Sequence, residues 1–315
     1  MATTTSITTT YAGEFAGKYV SSALLSGNTI ANGLIEVKPN VKYKEVLKRL
    51  ELGSLTADQT CDFTDTSTVT LTERILEPKA LQVNLEICKT PFESDWEAVS
   101  MGYSAHDNLP KTFQDYLIGQ IALKVAEKTE QDIWGGSEGA GAFDGFETLL
   151  SADANLPAGQ EVAGTTVTSA NVLAELDKIE QAIPNSIYGR ENLFIYVSQN
   201  IFRAYKSALG GFQANGLGAS GYMAQGNNQD LDVQWFNGIK IVACNGLSDN
   251  TAIATIKENL YFGTGLMSDH QEVKILDMAD LDGSKNVRFV MRYTAGVQYS
   301  VVEDIVTYGI TNGAN

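Results

Sequence analysis

The residues of this chain that could do acid–base, nucleophilic or metal chemistry are few and scattered. His106 and His270 are the only histidines. His270 lies beside Asp269 and Glu272, a pairing able to orient an imidazole for proton transfer. No G-x-S-x-G elbow accompanies it, so a solvated loop histidine is the simpler reading. Cys61, Cys88 and Cys244 form no C-x-x-C pair; an odd, dispersed set argues against a disulfide framework and a zinc site. None of the three has a recognisable nucleophile context. No H-E-x-x-H occurs, and no spacing of carboxylates singles out an acid/base pair.

Two further stretches imitate ligand sites. Gly216-Leu217-Gly218-Ala219-Ser220-Gly221 matches G-x-G-x-x-G letter for letter. That fingerprint binds a pyrophosphate only between a strand and a helix N-terminus; here a predicted helix precedes it and a polar loop follows. No phosphate-binding G-x-x-x-x-G-K-[ST] loop is present. Asp280, Asp282 and Gly283 hint at a calcium loop, but with Gly283 at the sixth position Met278 falls first and Phe289 twelfth, and neither supplies the required oxygen. A turn between strands fits better. The sequence thus offers no catalytic residue, no cofactor-binding residue and no metal ligand set.

Composition narrows the classes further. A length of 315 residues suggests about two domains. The formal net charge of −16 is the reverse of the clustered positive charge that nucleic-acid binders need. The opening MATTTSITTT has no basic segment and no apolar core, so it does not read as a signal peptide. No run approaches the roughly 18 apolar residues of a membrane span. Synthesis in the cytosol is the expectation from cysteine usage.

The elements that would position any site are clearer than the site. Residues 109–134 give the strongest helix signal: Phe113, Leu117, Ile121 and Val125 recur every four residues, Ile133 returns to that side, and Tyr116, Ala122 and Ala126 widen the stripe. Pro110 stands at the start and Gly135-Gly136 at the end. At 1.5 Å per residue such a helix reaches roughly 37 Å. Before it, residues 1–35 are rich in Thr, Ser, Ala and Gly and read as an arm that orders only against something else. Within 36–95, Val69–Leu71 and Leu81, Val83, Leu85 and Ile87 alternate at period two. Two strands on either side of a Pro-containing turn predict a long antiparallel ribbon, with a polar outer half at 53–68. Isolated hairpins are marginal in water, so the ribbon implies a surface supplied by another subunit.

After the helix, GGSEGAGAFDGF predicts a mobile loop, and Phe146, Leu149 and Leu150 an anchor. Ser169 is the expected N-cap of a helix carrying Val172, Leu173, Leu176, Ile179 and Ile183, stopped by Pro184. Residues 192–197 are a continuous apolar strand of the kind covered on both faces. Ser198 opens a helix with Ile201, Phe202, Tyr205 and Leu209 inward. Asn237-Gly238 marks a hairpin, residues 252–262 another strand. In the tail Val287, Phe289, Met291 and Tyr293 alternate with charge, in strands expected to pair beside the long helix.

The order of these parts resembles the major capsid proteins of tailed bacteriophages, the Hong Kong 97-type fold shared with encapsulins. The resemblance covers nearly the whole chain. It is carried by the long helix followed by Gly145, Phe146, Leu149 and Leu150, the helix 172–183, Leu-Phe-Ile-Tyr-Val-Ser at 193–198, Gly-Ile-Lys-Ile-Val at 238–242 and Tyr-Phe-Gly at 261–263. It implies an α+β fold with a spine helix at 109–134, an extended loop at 36–95, an N-terminal arm at 1–35, an axial α/β domain at 146–265, and a peripheral domain from 96–145 and 266–315. It implies no enzyme activity and no cofactor. The implied function is self-assembly into pentamers and hexamers of an icosahedral virion capsid, made in the bacterial host cytoplasm, that encloses DNA without binding it specifically. Scaffolding, portal or decoration proteins would be its partners, and no membrane. The long removable scaffolding segment of some members is not expected here. Some members also cross-link a Lys to a neighbour's Asn; Lys42, Lys44 and Lys48 lie near the ribbon without a motif that assigns them this role. An encapsulin-like compartment, loaded with cargo protein, and an enzyme on another α/β fold are the alternatives.

Overall fold

Two sheets and one long helix organise the chain. The structure, a computed structural model, describes residues 28–52, 56, 58, 61, 69–88, 111–139, 141–208, 234–265, 274–278 and 283–313, with the backbone alone at 28, 51, 52, 111–120 and 234. His106, Asp269, His270, Glu272, the glycine stretch 216–221, Asp280, Asp282, Leu209, residues 1–27 and most of 53–68 lie outside the described residues.

In chain order the helices are α1 (Asn28–Ala31), α2 (Lys111–Gly135), α3 (Phe146–Ser151), α4 (Val172–Ala182) and α5 (Gln199–Ala208). The strands are β1 (Glu36–Lys38), β2 (Glu45–Leu52), β3 (Val69–Leu76), β4 (Lys79–Cys88), β5 (Glu161–Val162), β6 (Leu193–Ser198), β7 (Gln234–Phe236), β8 (Ile239–Cys244), β9 (Ala252–Ile256), β10 (Leu260–Thr264), β11 (Lys274–Asp277), β12 (Asn286–Tyr299) and β13 (Val306–Tyr308).

The six-stranded sheet has the order β5-β13-β9-β6-β8-β7. Its central strand β6 is parallel to β8 and antiparallel to β9. The apolar run that forms β6 is buried on both sides, as expected: Ile195 and Val197 pack with Val172, Leu176 and Ile179 of α4 and Ile201 and Phe202 of α5, while Tyr196 faces the core around Trp134. Asn237 and Gly238, both at positive φ (46° and 86°), turn β7 into β8, the geometry that two-residue hairpins favour.

The second sheet is built on β12. One edge of this 14-residue strand pairs with β10 and then β11, the other with β4 across Lys79 to Cys88, and β1 adds in parallel to β10. Val287, Phe289, Met291 and Tyr293 are buried and Arg288 and Arg292 exposed, the alternation the sequence predicts.

Helix α2 crosses β12 and ends in the core common to both sheets. Val125 and Ile133 are buried and Ile121 half-buried, but Ala126 is exposed and does not widen the stripe. Instead the last turns bury Thr129, Glu130, Asp132 and Trp134 as well. The Trp134 ring lies 5.1 Å from Tyr196 and 5.4 Å from Phe146. The helix end thus meets residues of both sheets, and a single stripe is too narrow to cover it.

Other expectations change. Strands β3 and β4 do not form a hairpin around Pro78; β3 pairs with β2, and β4 with β12 far along the chain. Residues 252–262 are two strands, split by the turn Lys257–Asn259, and each joins a different sheet. Strand β13, expected beside the long helix, lies in the six-stranded sheet against β9. The two ends of the GGSEGAGAFDGF segment pack closely: a Cβ on Gly136 would sit 2.3 Å from the Phe143 carbonyl oxygen, and Phe143 is buried. The N-cap of α4 is Asn171, two residues after Ser169; its side chain makes no bond into the helix, and its Oδ1 instead accepts the Thr168 amide at 2.7 Å. Leu173, counted on the inner face, is exposed. From Asn28 onward the N-terminal segment is part of the core, with Thr29, Leu34 and Ile35 buried.

Candidate assembly surface

The ribbon β2–β3 is a two-stranded sheet with two unlike faces. Its register places Val46 opposite Ile75, Leu50 opposite Leu71 and Lys48 opposite Glu73. Because successive side chains alternate, these six positions share one face. That face is open: Val46, Leu50, Val69, Leu71 and Ile75 are 41%, 59%, 61%, 66% and 45% exposed. Exposed apolar pairs on either side of the Lys48/Glu73 pair make this face a candidate contact surface.

The opposite face holds the ribbon to the body. Leu47 and Leu76 are buried, at 7% and 0% exposure. Arg49 pairs with Glu303 at 2.6 Å. Arg74 pairs with Asp153, and its guanidinium lies 4.4 Å from the centre of the Tyr299 ring. The Tyr299 hydroxyl donates to the same carboxylate at 2.6 Å. Burial pushes the Asp153 carboxyl up, but the bonds from Tyr299, the Asn155 amide and Arg74, with the Arg74 charge, outweigh it and hold the group below its ordinary value. Burial, and then the bond to that carboxylate, pushes the Tyr299 phenol well above its ordinary range. At the root, Lys44 meets Glu77 at 2.8 Å and Lys38 meets Glu45 at 2.7 Å.

The sheet beneath is shaped to take the ribbon root. Gly263 of β10 and Gly296 of β12 are cross-strand partners. A Cβ on Gly263 would come within 2.9 Å of Leu76 Cδ2, and one on Gly296 within 2.9 Å of Pro78 Cα. The side-chain-free pair lets the end of β3 and the Pro78 turn lie on the sheet.

Among the described residues no group of three or more His, Cys, Asp or Glu side chains could hold a metal. Cys61 and Cys88 are exposed and Cys244 is buried, with no disulfide among them. A groove of about 400 Å³ runs between Glu161–Thr166, Asp249 and Asn250, and Gly309–Thr311. No described helix is long and apolar enough to cross a membrane. The ribbon's split character is legible in Val46/Leu50 and Leu71/Ile75 once β2 and β3 are paired; the pairing itself was the missing step.

No protein-family model matches the chain, and no curated protein matches it in sequence. Solved structures do. The capsid of the native GTA particle aligns with a TM-score of 0.60 at 13% identity, over 94% of this chain and 94% of that one. A structure of Mycobacterium phage Adephagia aligns at 0.55 and 13% identity, over 96% and 94%. The satellite phage P4 procapsid including size determination (Sid) protein aligns at 0.52 and 11% identity, over 90% and 98%. Sharing so much of its length with these structures, the chain has the fold of phage major capsid proteins.

Proposed function

We propose that this chain is a structural shell subunit that self-assembles into pentamers and hexamers of an icosahedral capsid enclosing DNA. The observation that carries the proposal is the open apolar face of the β2–β3 ribbon, which the subunit cannot cover with its own described residues. A second copy of the chain is its occupant: each ribbon lies across a neighbour, and modest gains per contact sum over many equivalent interfaces. In this reading the six-stranded sheet with α4 and α5 is the axial domain, α2 with the sheet on β12 the peripheral domain, β2–β3 the extended loop, and residues 1–27 an arm. The subunit is not an enzyme. It resides in the virion and is synthesised in the host cytoplasm. The net charge of −16 keeps packaged DNA from adhering to the inner wall. A scaffolding, portal or decoration protein completes assembly, as the presence of Sid in the P4 procapsid suggests by analogy.

The test is to purify the chain without denaturant and measure its size by light scattering and negative-stain microscopy, with and without Leu50→Glu/Leu71→Glu. Closed shells or rings from the parent, and a folded monomer from the variant, are expected. Assembly that survives the variant would overturn the role of the ribbon. Shells carrying protein cargo in place of nucleic acid would point to an encapsulin-like compartment.

A further inference from the structure

The end of α2 holds a carboxylate where a soluble helix rarely places one. Glu130 is 2% exposed. Its partners come from a segment about a hundred residues away: the Thr29 amide donates to Oε2 at 3.2 Å, and the Thr29 hydroxyl donates to Oε1. Trp134 Nε1, one helical turn on, donates to the Thr29 hydroxyl oxygen at 2.8 Å. Thr29 and Trp134 are themselves fully buried. Behind them the Tyr196 hydroxyl holds the Leu34 carbonyl at 2.7 Å. This polar knot fastens residues 28–35 to the helix end, and it is the point at which residues 1–27 join the described body.

The charges around the knot do not neutralise it. From β8 it faces the Cys244 thiol, from β6 the Tyr196 phenol, and from the turn after β8 the Gly246 backbone, so close that a Cβ there would lie 2.1 Å from the Glu130 carbonyl oxygen. On its own helix lie Trp134 and Asp132, and Asp132 already takes the Lys128 ammonium at 2.7 Å. On the outer side of the segment the Lys257 ammonium lies near Gly33. Thus no cation bonds Glu130 among the described residues. A buried carboxylate with hydrogen bonds but no counter-charge disfavours its own ionised form.

We propose that Thr29, Glu130 and Trp134 form a proton-controlled clasp: with Glu130 protonated, residues 28–35 stay fastened to α2, and with Glu130 ionised they open more readily. The direction follows from linkage. Burial pushes the Glu130 carboxyl up, and the bonds from Thr29 and Trp134 offset only part of that. The closed clasp therefore binds the proton more tightly than the open one; closure strengthens as pH falls and weakens as pH rises through the closed-state value. Cys244 and Tyr196 add no charge, since burial first, and for Cys244 then the Glu130 charge, pushes both well above their ordinary range. Asp132 is also pushed up by burial, against the pull of Lys128, so a Glu130 variant is needed to separate the two.

The experiment uses the full chain with Trp96→Phe and Trp235→Phe, which leaves Trp134 as the sole tryptophan. Acrylamide, a neutral quencher, reports access to Trp134 between about pH 5.5 and pH 9. The quenching constant is expected to rise about two-fold or more with pH, and to stay flat after Glu130→Gln. A flat profile in the parent, or the same rise in Glu130→Gln, would overturn the clasp. If Glu130→Gln fails to fold by circular dichroism, Thr29→Val replaces it. Losing the hydroxyl donor makes the ionised form still less favourable in the closed clasp and raises its closed-state value, so the rise should continue to higher pH and end larger; an unmoved profile would overturn the proposal.

Discussion

Gly263 and Gly296 face each other across β10 and β12, and the end of the ribbon lies on the bare backbone between them. The first prediction follows. Gly296→Ala puts a methyl group 2.9 Å from Pro78 Cα, where only backbone movement can make room. It should destabilise the fold by about 1–3 kcal/mol in denaturant unfolding. Gly263→Ala meets the end of a side chain, Leu76, and Leu76→Ala should recover part of its cost in a double-mutant cycle. Strict additivity of those two changes would contradict the packing.

The Asp153 cluster gives a pH dependence of the opposite sign to Glu130. Because the carboxyl is held below its ordinary value, it contributes stability that is present above the unfolded value and lost as pH falls through the folded one. Unfolding measured from about pH 6 down to pH 2 should show this loss below about pH 4. Asp153→Asn should flatten that limb and cost about 1–3 kcal/mol at neutral pH, since Arg74 and Tyr299 lose a charged acceptor. An unchanged acid limb would remove the cluster from the account.

Ile121 touches two cores, the large one around Trp134 and the smaller one of Val287 and Phe289. Ile121→Asp should cost at least about 3 kcal/mol, because an unpaired charge replaces a bridging side chain. A variant that keeps the parent's melting temperature would mean that this face of α2 is not packed.

Deleting residues 53–68 and joining β2 to β3 by a short turn should leave the subunit folded, because the anchors Leu47, Arg49, Arg74 and Leu76 all lie at the root. Its unfolding free energy should change by less than about 1 kcal/mol, while assembly measured by light scattering is lost. Loss of folding would show that the outer half also supports the body.

Much of this architecture is legible in residue patterns, and the exceptions share a cause. Leu193–Ser198 reads as a covered strand because burial on both faces removes any alternation. Asn237-Gly238 reads as a hairpin because positive φ is demanded locally. The β3–β4 hairpin fails because Pro78 sits between two alternating runs whose true partners, β2 and β12, are chosen by packing and not by proximity. The glycines of residues 135–146 suggest looseness, yet Gly136 and Gly145 stand where backbones touch. Glu130 and Asp132 look like solvent-facing positions on a helix; only the tertiary convergence of both sheets buries them.

The pairing of β4 with β12 has a mechanical side. A pull on the ribbon is passed through the Pro78 turn into the first residue of β4, which is matched to Ala295, and runs on to Cys88 matched to Asn286. The part of such a pull that runs along β4 acts across hydrogen bonds that lie perpendicular to it. The ladder must then slide as a whole and cannot peel open one rung at a time. That part of a load on the ribbon thus reaches the joint in shear, the direction in which a β-ladder is strongest, and the body keeps its shape while the ribbon is held.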